Sequence, residues 1–189
     1  MKHETRKEEI IRIAAKLFKE KGYSAVTMRD LASVMGIKAA SLYNHINSKR
    51  DILDAIIFSI AEEFTNGMQL IQASNSTCIN KLNKVIQLHV KISSQNIYGM
   101  ASLNNDWMHL EEKLEDYQKL RIDYEQDFKR ILKAGIKSGE IVDAKPDIMM
   151  FSILTTLRSL YIWIPKKEDL NLEEFSTTLS QILIKGINK

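Results

Sequence analysis

Between residues 27 and 46 the chain reads TMRDLASVMGIKAASLYNHI, and the second half of this stretch gathers groups able to hydrogen-bond to an anion or to the edge of a base. Lys38, Ala39, Ser41, Tyr43, Asn44 and His45 share one face of a short helix whose other face carries Ile37, Leu42 and Ile46. A helix that enters a DNA major groove needs side chains that reach base edges, and neighbours that grip phosphates and hold the register. Such a face must be backed by a second element. Residues 27–35 predict one: Thr27 is placed to cap a helix, Asp30 stands three residues on as in a capping box, and Gly36 opens the turn that follows. Leu31 and Ala32 point inward, and the small Ala32 lets the two helices approach closely. Two short helices joined by a glycine turn make a helix-turn-helix over residues 27–46.

The elements around it are helical by periodicity, and the two prolines and seven glycines of the chain leave little room for turns. A supporting helix is predicted over about 6–21, with Ile10, Ile13, Ala14, Leu17 and Phe18 as one buried stripe and Gly22 as its stop. Ser48 and Asp51 repeat the cap-and-carboxylate spacing and start a long fourth helix, striped by Ile52, Ile56, Ile60 and Phe64, that links the head to the rest of the chain. After the polar break Asn75, Ser76 and Thr77, a fifth helix over about 79–95 carries Leu82, Val85, Ile86, His89 and Ile92. Residues 99–110 read as a short helix flanked by turns, and 111–138 as a long amphipathic helix ended by Gly139. Pro146 opens a helix running to about Ile164, and a last one over about 172–187 carries Leu172, Phe175, Leu179, Ile182, Leu183 and Gly186 along one side. The expectation is an all-α chain of about nine helices.

The net charge of +3 is unevenly shared: residues 1–50 hold 11 Lys and Arg against 5 Asp and Glu, and residues 51–189 hold 16 against 19. The basic charge travels with the helix-turn-helix, as a phosphate-binding surface requires. The single cysteine, Cys78, cannot form an internal disulfide. MKHETRKEE is too charged to begin a signal peptide, and no apolar run approaches the ~20 residues of a membrane crossing, Phe151 to Pro165 being interrupted by polar residues. The expected location is the cytoplasm. The sequence offers no phosphate-cradling glycine loop, no His-Glu-x-x-His and no Gly-x-Ser-x-Gly, and His3, His45, His89 and His109 are scattered, so neither an enzyme nor a cofactor or metal site is expected.

Thr27, Arg29, Asp30, Leu31, Ala32, Gly36, Ile37, Leu42 and Tyr43, followed by Ser48, Lys49 and Leu53, resemble in order and spacing the DNA-binding domain of the TetR family of bacterial transcriptional regulators. The resemblance spans roughly residues 6–58. Lys38 stands where the family usually has a capping Ser or Thr, Ala39 where it often has Lys, and Ile46 where Phe is usual. The resemblance implies a DNA-binding domain over 4–58, an effector and dimerisation domain over 59–189, and a homodimer reading a palindromic operator. It implies phosphate contacts from Thr27, Tyr43, Lys49 and His45, and base reading by Arg29, Lys38, Ala39, Ser41 and Asn44. Each has a second reading: Thr27 as a helix cap, Tyr43 with its ring in the three-helix core, His45 as a plain surface residue, Arg29 paired with Asp30. The last two helices are the expected dimerisation surface, the alternative being that their apolar stripes pack within one chain.

In the second domain, Asn105, Asp106 and Trp107, then Tyr124 and Glu125, the segment Gly135 to Glu140, and Trp163 before Pro165 resemble TetR-type regulators of fatty acid or sterol degradation that bind acyl-CoA thioesters. A pocket there would draw apolar walls from Met100, Leu103, Trp107, Met108, Phe128, Leu154 and Trp163, and polar groups from Asn105, His89, His109 and Arg158. Arg158, a guanidinium on an otherwise apolar helix, needs an anion, either a ligand phosphate or an internal carboxylate. The expected function is a dimeric repressor of double-stranded DNA released by a small apolar effector. The alternative is a DNA-binding or partner-binding helical dimer without one.

Overall fold

Local capping decides where the chain first becomes helical. In the computed structural model, which describes residues 4–185, the Thr5 hydroxyl accepts the Glu8 N–H while the Glu8 carboxylate accepts the Thr5 N–H at 2.7 Å, opening α1 (Arg6–Lys21). Gly22, at φ +84°, stops it and donates its N–H to Phe18 O at 2.8 Å. Further helices follow as α2 (Met28–Val34), α3 (Ala39–Tyr43), α4 (Lys49–Ala73), α5 (Cys78–Gln95), α6 (Ile97–Asn105), α7 (Leu114–Ser138), α8 (Pro146–Arg158), α9 (Leu160–Trp163) and α10 (Leu172–Lys185), with 3-10 turns at Trp107–His109, Glu111–Lys113 and Ile164–Lys166. Every regular element among the described residues is helical, as the periodicity predicts.

The chain divides into two compact units that are not consecutive in sequence: one runs through Ala61 and takes in Asn96–Tyr117, the other comprises Glu62–Gln95 and the chain from Gln118 on. In the first, α1 packs on α2 and α6, and α2 on α3, around Ile10, Ala14, Phe18, Leu31, Leu42, Ile52 and Leu53, all essentially without exposure. In the second, α5 packs on α8, α9 and α10, and Phe128 of α7 sits with Leu82, Ile86, Leu132, Ile153 and Leu157 in one core. Gly67 of α4 allows a close approach there, since a Cβ would stand 2.6 Å from a methyl of Leu88.

Four expectations are corrected. The long helix predicted from Glu111 begins only at Leu114, because Glu111 takes a left-handed φ of +48° and its carboxylate pairs with Arg50. The helix predicted from Pro146 to Ile164 is broken at Ser159, whose hydroxyl donates to the Thr156 carbonyl at 2.8 Å and competes with the helix ladder. Pro146–Lys166 is, by length and composition, long and apolar enough to cross a membrane, contrary to the expectation that no run comes close. It is broken at Ser159, however, and Met149, Met150, Ile153, Leu154 and Leu157 bury one face in the core, as a core helix does. On α10 the buried residues are Ser176, Ser180 and Ile184, whereas Leu172 and Ile182 of the predicted stripe are exposed. Small serines let α10 lie close on α5, while Phe175, Leu179 and Leu183 of the predicted stripe pack partly buried against the same core. Gly186 and Ile187 lie outside the described residues.

Candidate nucleic-acid interface

The pair α2 and α3 is held by its own backbone chemistry. Thr27 Oγ accepts the Asp30 N–H at 3.1 Å and donates to the Asp30 carboxylate at 2.6 Å, and that carboxylate accepts the Thr27 N–H at 2.8 Å. The Thr27 hydrogen bonds hold the Asp30 carboxyl below its usual pKa. Gly36 makes the turn at φ +65°, and the Ile37 N–H returns to Ala32 O at 3.0 Å. Lys38 occupies the N-cap of α3 without a side-chain cap, so the departure from the family's Ser or Thr leaves that position uncapped and its ammonium exposed. Leu31, Ala32, Leu42 and Ile46 are buried and Ile37 half-buried, as the inward face requires.

The outward residues fall where the spacing puts them. Thr27, Arg29, Lys38, Asn44 and His45 are exposed, Ala39 and Ser41 are half-exposed, and Tyr43 is 53% exposed with its ring outside the three-helix core. Among the described residues Arg29 meets no carboxylate at ion-pair distance, the Asp30 carboxylate being taken up by Thr27. Thr27 fills its capping role, its hydroxyl proton going to Asp30. Lys49 is placed differently from a free phosphate ligand. Its Nζ donates to Tyr23 O and Val26 O, both at 2.8 Å, and lies 4.2 Å from the centre of the Tyr23 ring. Burial lowers its pKa, and the side chain ties the start of α4 to the loop before α2. Sequence reasoning missed this tie, which no local spacing announces. The Ser48 and Asp51 cap forms as predicted, with the Asp51 N–H on Ser48 Oγ at 3.0 Å.

The effector candidates are divided between the two units. Met100, Leu103, Asn105, Trp107 and Met108 belong to the first unit, and Phe128, Leu154, Arg158 and Trp163 to the second. Met100 and Phe128 are fully buried, whereas Met108 is 57% exposed; Trp107 lies 6.1 Å from Tyr117, and Trp163, 41% exposed, stacks on Phe175 at 4.9 Å. His109 belongs to the first unit, its ring 5.0 Å from Tyr23. Arg158 has an internal partner, donating to Glu125 Oε1 at 2.6 Å. His89 is a buried polar residue of the second unit, whose Nε2 lies 2.9 Å from the Tyr124 hydroxyl and whose ring lies 4.6 Å from that of Phe64. Desolvation, with a smaller effect from Arg158, lowers its pKa to about 3, and burial pushes the Tyr124 phenol well above its usual range.

A capped helix-turn-helix with a polar outer face, on an all-helical chain, defines a DNA-binding regulator of the helix-turn-helix class. Residues 10–56 match the family described as "Bacterial regulatory proteins, tetR family", and residues 75–187 match "Tetracyclin repressor-like, C-terminal domain". The chain belongs to the TetR family of transcriptional regulators, and these are not enzymes. It is 28% identical over 136 residues, 71% of this chain and 67% of the relative, to the HTH-type transcriptional repressor KstR2 of Rhodococcus jostii. Its fold is shared with the ketosteroid transcriptional regulator KstR2 of Mycobacterium tuberculosis, at TM-score 0.93 and 20% identity over 100% of this chain and 97% of that one. It is likewise shared with AibR in complex with isovaleryl coenzyme A and operator DNA, at TM-score 0.80 and 19% identity over 94% and 97%.

Proposed function

We propose that the chain is a dimeric repressor whose domain over 4–58 binds a palindromic operator and whose region over 59–189 dimerises and takes a small apolar effector, an acyl-CoA thioester being the leading class. The observation that carries the DNA reading is the outer face of the helix-turn-helix, where Arg29, Lys38, Tyr43, Asn44 and His45 stand exposed above a buried inner stripe. Thr27, Tyr43 and His45 serve phosphates in this reading, and Arg29, Lys38, Ala39, Ser41 and Asn44 read bases. Lys49 acts by holding the loop before α2 in place.

Dimerisation is supported by apolar surface left exposed among the described residues of the second unit: Ile148 and Phe151 of α8, Ile162 of α9, and Leu172 and Ile182 of α10 are exposed, and Trp163 of α9 is 41% exposed beside Phe175. A two-fold axis across α8 and α10 would bury them in a four-helix bundle and set two heads on half-sites ~34 to 36 Å apart. The effector class is supported by a regulator of the same fold solved with isovaleryl coenzyme A and operator DNA. Effector binding releases DNA if it favours the dimer whose heads are wrongly spaced, with a coupling of ~1 to 3 kcal/mol. A second reading, a DNA-binding dimer without an effector, is favoured by the Arg158–Glu125 pair, which leaves no free guanidinium there to hold a ligand phosphate.

The test is fluorescence anisotropy on the chain's own upstream DNA across a salt series, repeated with acyl-CoA thioesters. Specific, salt-sensitive binding that a thioester releases is expected. Specific binding that no thioester touches would leave the second reading, and absence of any specific site, including after selection from random duplexes, would overturn the DNA reading.

A further inference from the structure

Two buried polar atoms on one face of α5 have no hydrogen-bond partner among the described residues. His89, 4% exposed, leaves Nδ1 unpaired, and Ser93, without exposure, leaves Oγ unpaired. They stand four residues apart, and such positions on a helix bring Cβ atoms to ~5–6 Å of each other, close enough for one oxygen to meet both. Buried polar atoms left unpaired cost free energy, so a pair of them in a regulator calls for a functional account.

The geometry decides what they can bind. Nε2 of His89 is fixed by the Tyr124 hydroxyl at 2.9 Å. If Tyr124 donates, the imidazole proton sits on Nδ1 and that N–H is the one group left over. With the opposite tautomer both the Nδ1 lone pair and the Tyr124 O–H are left over. The first arrangement leaves fewer groups unsatisfied and makes Nδ1–H a donor beside a second donor, the Ser93 hydroxyl. Rings surround the imidazole: Phe64 at 4.6 Å and Tyr124 at 5.8 Å. The nearby Arg158 guanidinium is already committed to Glu125 at 2.6 Å, and Arg121 reaches the same carboxylate at 3.5 Å. A carboxylate entering here would be buried without a counter-charge, whereas a neutral acceptor oxygen would satisfy both donors.

We propose that His89 and Ser93 form the polar anchor of the effector site and take a single neutral carbonyl or hydroxyl oxygen of an otherwise apolar ligand. The inference rests on the reading of the chain as an effector-controlled regulator, and names the head group that its effector presents. Thioester and ketone carbonyls fit this anchor, and free fatty carboxylates do not. The apolar body of the ligand takes the place against the imidazole now held by the Phe64 ring.

The probes are 2-octanone and octanoate at pH 7.5, matched in chain length and differing in head group, added to full-length protein labelled with 15N-histidine. The His89 resonances are assigned by their absence from His89→Gln. 2-Octanone is expected to shift them and to raise the melting temperature, octanoate to do neither, and Ser93→Ala to weaken 2-octanone binding about tenfold without unfolding the protein. The proposal is overturned if 2-octanone leaves the His89 resonances unmoved, if octanoate shifts them as strongly, or if Ser93→Ala binds 2-octanone as tightly as the natural chain. Octanoyl-CoA, titrated in parallel, separates the two readings: its failure beside a positive ketone result removes the thioester and leaves the anchor standing.

Discussion

Lowering the pH should destabilise this protein through His89. The imidazole is buried and held neutral, with a pKa lowered by desolvation from the ordinary 6.5 to about 3. Because the folded pKa lies below the unfolded one, the neutral native state is fully favoured above pH 6.5. As pH falls below that value the unfolded chain takes up a proton that the native state refuses. Each pH unit between 6.5 and about 3 therefore costs about 1.4 kcal/mol, so the loss between pH 7.5 and 5.5 is about 1.4 kcal/mol. Against a total stability of ~5–15 kcal/mol this is measurable by urea unfolding. The perturbation is His89→Gln, which keeps a side chain able to bond Tyr124 and removes the titration. The variant should be less stable at pH 7.5 and should lose about 1.4 kcal/mol less than the natural chain on going to pH 5.5. The other histidines, present in both proteins, cancel in the difference. Equal losses in the two proteins would refute the reasoning, as would a native His89 resonance titrating near pH 6.5.

Thr27→Ala should remove the two hydrogen bonds of the hydroxyl, leaving the backbone N–H arm to Asp30, and cost ~1 kcal/mol of stability, with Thr27→Ser restoring most of it, read by chemical denaturation. Tyr43→Ala should leave stability within ~0.5 kcal/mol, since the ring is exposed, while weakening operator binding in anisotropy titrations with the salt slope unchanged, because a phenol neutralises no phosphate charge. Lys49→Met should cost ~1–3 kcal/mol, because the Tyr23 and Val26 carbonyls lose their donor, and should raise amide exchange in the loop over residues 23–26. Phe151→Glu with Ile182→Glu should give a folded monomer by analytical ultracentrifugation with unchanged helical circular dichroism. A double variant that sediments as the natural chain does would remove these faces from the interface.

The helix-turn-helix was legible because its determinants are local. The Thr27–Asp30 box, the glycine turn and the stripe of Leu31, Ala32, Leu42 and Ile46 involve residues a few positions apart, and the structure places each as the spacing predicts. The long helices were legible for the same reason. Their ends were less so where a distant partner intervenes, as at Glu111, whose conformation accompanies an ion pair with Arg50 sixty-one residues away. Of the ligand candidates, periodicity marked apolar residues without distinguishing core from wall, and Phe128 is core.

By itself, then, the sequence determined the all-helical class, the motif and its outward polar face, because helix periodicity, caps and turn residues act over distances the chain encodes within one or two turns. Tertiary structure alone decided which face of α10 is buried, that Arg158 belongs to Glu125, that Lys49 reaches the loop carbonyls of Tyr23, Ser24 and Val26, and that His89 is neutral. Those outcomes depend on partners far apart in sequence and on how completely water is excluded around them. Neither is written in the spacing of any one helix.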